Sequence, residues 1–390
     1  MNITIMGSRY DNLVATLAGY LKTGVPLVSW NGTQFTPVAT GDDRGMAYFV
    51  PQIAALTHSD TRHAINLFCI GTMLLALLCG LCGCLFLFKS APQRGIAFLG
   101  LLWLARIGLG VGDVYLFPVA LTLALIPFFL WFLKRNKATP AFGAFLFTAG
   151  MAISTCNWIR SQGGMATVVF MAILLLAGLT APLKSRVLLL LCLFAGMPIP
   201  VLLTRAIENR AEAYMVAHQP GYQPLIRQHV LWHSVYIGFG YLNNDFGLTY
   251  HDQVAAAKVA SIDPTVPYCS AEYERILKRA TFQFVRAHPA FALDTLAAKA
   301  GVLLFFLIRY ANIGLIAAWR SRRPRAWDAA FGAAMAVGVL PGLLVVPVPS
   351  YVTSFAAFAV LYAVVCLNMA LESGEILRRK QKAPAQEGII

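Results

Sequence analysis

Long apolar runs recur along most of this 390-residue chain and restrict its fold more than any other feature. Nine of them approach ~20 residues, enough for a helix to cross a bilayer. Only 12% of the residues are charged, whereas about a quarter are charged in a typical soluble domain. The sequence therefore predicts an all-α polytopic membrane protein with about nine transmembrane helices and a small extracytoplasmic cap. The predicted spans are 64–88, 95–112, 115–133, 140–157, 164–182, 187–207, 296–318, 327–346 and 350–371.

The basic residues between these spans predict their orientation, because cytoplasmic loops of membrane proteins are enriched in Lys and Arg. Every second connection is basic, whereas the other short connections contain only Arg160. We therefore expect the C-terminus in the cytoplasm and residues 1–63 outside, together with all seven histidines. This placement accounts for the net charge of +14 without nucleic acid as a partner. The cytoplasmic set is Lys89, Arg94, Lys134, Arg135, Lys137, Lys184, Arg186, Arg320, Arg322, Arg323, Arg325, Arg378, Arg379, Lys380 and Lys382.

The spans divide the chain into five segments. The mildly apolar stretch from Leu13 to Trp30 contains Lys22 and Pro26 and is not predicted to cross the membrane. An outer N-terminal segment without a signal peptide or a preceding span is hard to export, so we expect a leading helix missing from this reading frame. The predicted segments are an extracytoplasmic part with an acidic loop (1–63), spans one to six (64–207), an extracytoplasmic loop domain (208–295), spans seven to nine (296–371) and a cytoplasmic tail (372–390).

The cysteines predict neither a disulfide framework nor a zinc site. Seven of the eight lie in apolar runs, where cysteine acts as a small core residue, and only Cys269 lies in a polar segment. Cys79 and Cys82 have the C-x-x-C spacing, but in a Leu-rich helix, where packing is the simpler explanation.

Two adjacent carboxylates, Asp42 and Asp43, lie in a Gly-flanked turn just before the first span. Carboxylates held close together differ in how readily each takes up a proton. A carboxylate within hydrogen-bond reach of an acceptor hydroxyl can act as a general base. These two residues are therefore the candidate catalytic pair, although the same sequence also suits a solvated turn.

A second acidic position lies at the tip of the hairpin between the second and third spans. Gly110-Val111-Gly112-Asp113 predicts a tight turn here rather than one long helix. Asp113 and Tyr115 are candidate substrate contacts, and Asp113 is equally suited to cap the third span.

Four cations are candidates for binding a phosphate. Arg106 and Arg309 lie inside predicted spans, where a charge is expensive and usually faces a cavity or a partner. A guanidinium can bind phosphate through two parallel hydrogen bonds. Arg160 is the exceptional basic residue of the short outer connections. Lys299 enters the seventh span from outside, where it can also simply extend its amine to the interface.

The stretch 228–240 is dense in histidine and aromatic residues. His229 and His233 are spaced to share one helical face, but no third ligand has a familiar zinc spacing and the His-Glu-x-x-His motif is absent. We therefore predict no metal site from these residues, while a divalent metal requirement of the protein stays open. Aromatic rings with polar tips suit sugar binding and membrane-interface anchoring equally well. The candidate substrate contacts are His229, His233, Tyr236 and Asp252.

Together these features resemble the GT-C superfamily of membrane glycosyltransferases. The chain looks like bacterial relatives of the protein mannosyltransferases and lipid A aminoarabinose transferases. Asp42-Asp43, followed by Gly45 and Tyr48, is similar to the acidic first outer loop of that superfamily. The resemblance covers the whole chain in architecture and is specific around 41–51, 157–164 and 229–252. The superfamily also has a span before the acidic loop, which is not evident here.

The resemblance implies a reaction, its partners and a location. Such enzymes transfer a sugar from a polyprenyl-phosphate donor to a glycan, lipid or protein acceptor on the outer face of a bacterial plasma membrane. Asp42 or Asp43 would act as base, and direct attack would invert the anomeric centre. The donor phosphate would be bound by Arg106, Arg160, Arg309 and Lys299, with membrane lipid as the remaining partner.

Two other functions stay open at this point. An O-antigen polymerase or ligase type enzyme also has many spans and a large outer loop, and would depend on Arg227, His229 and His233. A non-enzymatic transporter or lipid flippase would instead line a path with Arg106 and Arg309. Paired acids in an outer loop favour the glycosyltransferase.

Overall fold

The computed structural model of the chain is almost entirely helical, as the apolar runs predict. It describes residues 2–5, 7–38, 43–219, 221–222, 230–321 and 323–382, with the backbone alone over 375–382. The α-helices are α1 (Arg9–Thr23), α2 (Arg44–Thr57), α3 (Thr61–Leu87), α4 (Ala91–Val111), α5 (Phe117–Arg135), α6 (Pro140–Ile159), α7 (Met165–Ile173), α8 (Leu183–Gly196), α9 (Pro198–His218), α10 (Leu231–Gly238), α11 (Asp252–Ala260), α12 (Ala271–Ala287), α13 (Pro289–Ala311), α14 (Ile313–Arg320), α15 (Arg325–Leu344) and α16 (Thr353–Lys382). Short 3₁₀ helices cover Asp113–Leu116, Phe239–Tyr241 and Pro349–Val352, and a π-helical turn covers Leu174–Gly178.

The chain is an all-α polytopic membrane protein. Within the described residues, eight helical segments are long and apolar enough to cross a membrane, and the shorter apolar segment Met165–Gly178 matches the remaining predicted span. The predicted sixth span lies in the longer segment Leu183–His218, where α9 begins at Pro198. The predicted seventh span is divided between α13 and α14 by Asn312, whose φ is 46°. Pro198 suits the start of α9, because the first turn of a helix does not need the N–H that proline lacks.

Two central helices begin at the same end of the bundle. The α5 segment and the apolar part of α16 are the most enclosed spans, with 72% and 67% of their most apolar windows buried. Gly80 and Gly83 let α3 pack tightly on α5, since a Cβ at Gly80 would lie 2.8 Å from the carbonyl oxygen of Leu123. Residues 113–116 lead into α5 and residues 349–352 lead into α16. We call the end of the bundle where they lie the site end.

The N-terminal segment packs against this site end and does not span the bundle. The Leu13–Trp30 stretch forms most of α1 and the strand β1 (Val28–Trp30), which pairs antiparallel with β2 (Phe35–Pro37). Before α1, the Ile3 amide donates to Asn66 Oδ1 at 2.9 Å, and Arg62 donates to the Ile3 carbonyl at 3.2 Å. These contacts hold the residues before α1 against the start of α3.

The described part of the region between α9 and α13 contains a small core of its own. Tyr236, Ile237, Tyr273 and Leu277 are buried where α10, α11 and α12 meet. Tyr273 and Leu277 belong to α12. The Tyr250 hydroxyl donates to the Tyr351 hydroxyl at 3.1 Å, which ties this region to the site end of the bundle.

Candidate active site

Two buried carboxylates share one guanidinium at the site end. Arg9 Nη2 donates to Asp43 Oδ2 at 2.6 Å, and Arg9 Nη1 donates to Asp113 Oδ2. Asp43 is 6% exposed and Asp113 is 0% exposed, so Asp43 does not lie in a solvated turn. Burial works against the charged guanidinium, but attraction to Asp43 and Asp113 outweighs it and raises the pKa of Arg9 above its ordinary value. The three side chains therefore form a charged cluster, which we call the acid–arginine cluster.

Asp113 occupies the tip of the hairpin between α4 and α5, where the sequence predicts a tight turn. Its φ is 52°, and its Oδ1 accepts a hydrogen bond from the Val114 amide at 2.8 Å. Gly112 precedes it with a φ of 68°. A Cβ at Gly112 would also lie 2.9 Å from the Thr4 carbonyl oxygen, so the N-terminal segment depends on this glycine for its close approach.

Close helix packing brings Arg160 to the cluster. A Cβ at Gly45, in the first turn of α2, would lie 2.5 Å from Ile159 Cγ1 and 2.8 Å from Ile159 Cα. This contact places the start of α2 against the end of α6, and Arg160 follows α6 directly. Arg160 Nη1 lies 3.7 Å from Asp43 Oδ1. The spacing of Asp43 and Arg160 therefore depends on a glycine at position 45.

We expect Gly45→Ala to lower the thermal stability of the protein by ~1–3 kcal/mol, because the added methyl group would push α2 away from α6. The distance between Asp43 and Arg160 should increase with it. Gly71→Ala is the matched control, since a Cβ at Gly71 on α3 would meet nothing within 4 Å. Thermal unfolding of both variants in detergent measures the difference, and equal melting temperatures would contradict the proposed contact.

Three tyrosines lie beside Arg160. Its guanidinium carbon lies 4.7 Å from the ring centroid of Tyr115 and 5.8 Å from that of Tyr351. The Tyr115 and Tyr351 rings meet edge to face at 5.8 Å, and Tyr351 accepts the hydrogen bond from Tyr250. Burial raises the pKa of Tyr250 above its ordinary value, so this hydroxyl stays protonated at neutral pH. Tyrosine faces and hydroxyls beside a cation suit a polar, ring-shaped ligand.

A cavity of about 450 Å³ opens next to Arg160. Its polar lining includes Arg160, Gln162 and Tyr351, and we call it the Arg160 cavity. Apolar side chains from α7 and α15, among them Met165 and Leu340, also line it, together with small hydroxyl side chains such as Ser350 and Thr353. A cavity with a cation and both polar and apolar lining, between membrane-spanning helices, can hold a ligand that has a charged group and an apolar part.

Arg106 and Arg309 lie elsewhere. Both are exposed on their helices, and both line a second cavity of about 620 Å³ between α4 and α13. Lys299 is 1% exposed, so it does not extend its amine to the interface, and its Nζ lies 5.9 Å from the Tyr241 ring. The four predicted phosphate-binding cations are thus distributed over three places.

His233 and Asp252 meet in the region between α9 and α13. His233 is 4% exposed, with Nδ1 2.8 Å from the Tyr273 hydroxyl and Nε2 3.1 Å from Asp252 Oδ1. Glu274 accepts hydrogen bonds from the backbone amides of Trp232 and His233. Both ring nitrogens of His233 are therefore engaged in holding α10, α11 and α12 together.

The structure brings part of the predicted site together. Asp43, Asp113, Tyr115 and Arg160 form one constellation, whereas His233, Tyr236 and Asp252 lie in the region of α10–α12. Asp42 and His229 lie outside the described residues. Sequence reasoning missed Arg9, Tyr250 and Tyr351. Arg9 could have been found, because buried acids need a cation and residues 1–63 contain only Arg9, Lys22, Arg44 and Arg62 as candidates.

The carboxylates of the site do not form a three-ligand cluster. Within the residues that the structure describes, no three His, Cys, Asp or Glu side chains are grouped in a way that could hold a metal ion. Asp43 and Asp113 are instead joined through Arg9.

Comparisons with known proteins assign no family. No protein-family model matches the sequence, and no curated protein is significantly similar to it. Two solved structures are similar at a low level. The apo crystal structure of the Archaeoglobus fulgidus oligosaccharyltransferase has a TM-score of 0.48 and 15% identity, over 98% of this chain and 48% of that one. The oligosaccharyltransferase AglB from Archaeoglobus fulgidus, in complex with an inhibitory peptide and a dolichol-phosphate, has a TM-score of 0.44 and 14% identity over the same shares.

This chain spans about half the length of both archaeal proteins. The similarity is too low to transfer a family, an activity or the role of any residue. What the chain does must be inferred from its own side chains.

Proposed function

We propose that the protein is a membrane glycosyltransferase of the GT-C type. It would transfer a sugar from a polyprenyl-phosphate donor to a hydroxyl acceptor, with inversion of the anomeric centre. The observation that supports this most is the position of Arg160, which lines a partly apolar cavity and lies 3.7 Å from the buried Asp43 carboxylate. A cation for the leaving phosphate is thus adjacent to one acid of the 42–43 pair.

The donor would occupy the Arg160 cavity. Its isoprenoid chain would lie along the apolar side chains of α7 and α15, and its phosphate would meet Arg160. A guanidinium placed before the reaction stabilises the negative charge that develops on the departing phosphate. Tyr115 and Tyr351 would then contact the sugar, which lies between the phosphate and the acceptor.

The two acids of the 42–43 pair would have different roles. Asp43 is already bound to Arg9, and its other oxygen faces Arg160. Such a carboxylate serves best to hold the two guanidinium groups in place. Asp42 would therefore be the general base, on the basis of its position in the sequence. The acceptor oxygen bonds to the anomeric carbon, the bond from that carbon to the phosphate oxygen breaks, and Asp42 takes the acceptor proton.

The remaining predicted residues would support this site from a distance. His233 and Asp252 would hold α10 and α11 so that Tyr250 can reach Tyr351. The positively charged loops would lie in the cytoplasm with the C-terminus, and the site would then lie on the outer face of a bacterial plasma membrane. Residues 1–63 and 208–295 would form the extracytoplasmic parts around it.

Arg160→Gln tests the proposed donor position. In membranes with labelled polyprenyl-phosphate sugars, we expect kcat/KM for the donor to fall ~10²- to 10³-fold, because the leaving phosphate loses its cation. Arg205→Gln, which changes an exposed arginine on α9, should leave transfer unchanged and is the matched control. If wild-type protein transfers sugar and the Arg160 variant matches it, the donor phosphate does not bind there. If wild-type protein transfers nothing from any such donor, the glycosyltransferase proposal fails.

A further inference from the structure

The cavity between α4 and α13 is separate from the Arg160 cavity but borders the same short helix. Pro349 lines the α4–α13 cavity, whereas Ser350 and Tyr351 line the Arg160 cavity. The side chains lining the α4–α13 cavity include Trp103, Arg106, Arg309 and Tyr310. We call it the Arg106–Arg309 groove. Residues 349–352 therefore lie between two cavities, with Tyr351 at the site.

Among the residues that the structure describes, no carboxylate pairs with either arginine of this groove. In the described part of the chain, neither Arg106 nor Arg309 has a carboxylate within ion-pair distance, while Arg9, Arg44, Arg160, Arg275 and Arg323 do. The guanidinium carbon of Arg309 lies 5.9 Å from the centroid of the Tyr310 ring. Two like charges that face one cavity in membrane-spanning helices favour an anionic ligand between them.

The depth of the groove fits the head group of a lipid in one leaflet. Arg106 lies about 8 Å from the end of α4 at Val111, at a rise of ~1.5 Å per residue. Leu102 and Trp103, which line the groove one turn deeper, are partly exposed. An acyl chain could lie along these side chains while its phosphate meets the arginines.

We propose that the Arg106–Arg309 groove binds the phosphate of an anionic lipid and that this lipid is the acceptor, an inference that rests on the function proposed above. The acceptor hydroxyl would be carried on the head group of the lipid and would reach the site past residues 349–352. The sugar is transferred to that hydroxyl oxygen, the polyprenyl phosphate leaves from the Arg160 cavity, and the proton goes to Asp42. Donor and acceptor phosphates would thus be held by different arginines on the two sides of one short helix.

The first experiment measures binding without the reaction. The purified full chain is placed in phosphatidylcholine nanodiscs, and binding of fluorescent phosphatidic acid, a phosphomonoester lipid, is compared with that of fluorescent phosphatidylcholine. We expect Arg106→Gln/Arg309→Gln to weaken phosphatidic acid binding by about tenfold or more, because hydrogen bonds to two charged partners are lost. Arg205→Gln/Arg210→Gln, which changes two exposed arginines of α9, is the matched control and should bind like wild type.

The second experiment separates the acceptor from other lipids. With labelled donor and total bacterial lipid as acceptor, the groove double variant should raise the KM for lipid acceptor about tenfold and leave the KM for donor unchanged. A rise in the donor KM instead would place the donor in the groove and overturn the inference. Unchanged transfer with weakened phosphatidic acid binding would identify a structural lipid, and labelling of protein rather than lipid would also overturn it.

Failure of this inference is distinguishable from failure of the proposed function. If wild-type protein transfers sugar to an acceptor without phosphate as fast as to phospholipid, the glycosyltransferase stands and the lipid acceptor does not. If no sugar is transferred from any polyprenyl-phosphate donor, both fail, whatever lipid the groove binds.

Discussion

Asp42→Asn is expected to lower kcat for sugar transfer by ~10²- to 10⁴-fold, the usual contribution of a general base. The substitution removes a proton acceptor but keeps nearly the same shape, so the KM for donor and the melting temperature should stay close to wild type. The measurement is transfer of labelled sugar from polyprenyl-phosphate donors, in membranes that contain each variant at the wild-type level.

Asp43→Asn is the matched variant at the neighbouring position. Because Asp43 is buried and bonded to Arg9, its substitution should lower the melting temperature as well as activity. Full activity of Asp42→Asn with complete loss in folded Asp43→Asn would exclude Asp42 as the base and leave Asp43 as the acid of the pair that transfer requires. Full activity of both variants would mean that neither Asp42 nor Asp43 is the base. The cations would then be the next residues to test.

Arg9→Met is expected to destabilise the protein by ~3–5 kcal/mol, because breaking a buried ion pair leaves uncompensated charge. In this case the uncompensated charges are the carboxylates of Asp43 and Asp113, both of which Arg9 binds. Activity should fall with stability, since Asp43 also faces Arg160. The measurement is thermal or denaturant unfolding of the purified protein in detergent.

A variant in which all three residues of the acid–arginine cluster are uncharged provides the control for this prediction. The triple variant Arg9→Met/Asp43→Asn/Asp113→Asn removes the stranded charges together with the cation and should recover much of the lost stability. Arg62→Met, which changes another arginine near the N-terminal segment, should have a smaller effect, because Arg62 donates to the neutral Ile3 carbonyl and packs on Tyr10. If Arg9→Met unfolds at the wild-type temperature, the acid–arginine cluster does not stabilise the site end.

The helices could be predicted from hydrophobicity, because a bilayer sets the length of a span and favours helical backbone within it. A span needs about 20 apolar residues with all hydrogen bonds satisfied internally, so the runs at 64–88 and 140–157 already specify α3 and α6. The break at Gly110–Asp113 was predictable for the same local reason, since glycine and aspartate favour a turn. Asn312, whose φ is 46°, was not predictable as a break, because it lies within a long apolar run and α14 after it packs against α16.

The candidate site was predictable as a set of residue types and not as an arrangement. Asp43, Asp113 and Arg160 stand out because each is a polar residue at the edge of an apolar run. Nothing in their spacing indicates that one guanidinium 34 residues before Asp43 and 104 residues before Asp113 joins the two acids. That contact depends on how residues 2–5 are held against α3, which is a property of the folded chain.

The sequence by itself determined that the chain folds in a membrane, where its helices lie and which polar residues stand at their ends. These properties depend on hydrophobicity and turn preference, which act over a few residues at a time. Only the tertiary structure decided which charges meet. Arg160 lies beside Asp43 because α2 and α6 pack closely at Gly45, whereas Arg106 and Arg309 line a different cavity. Long-range pairing of charges depends on how helices pack, and packing is set by the fit of many side chains from distant parts of the chain.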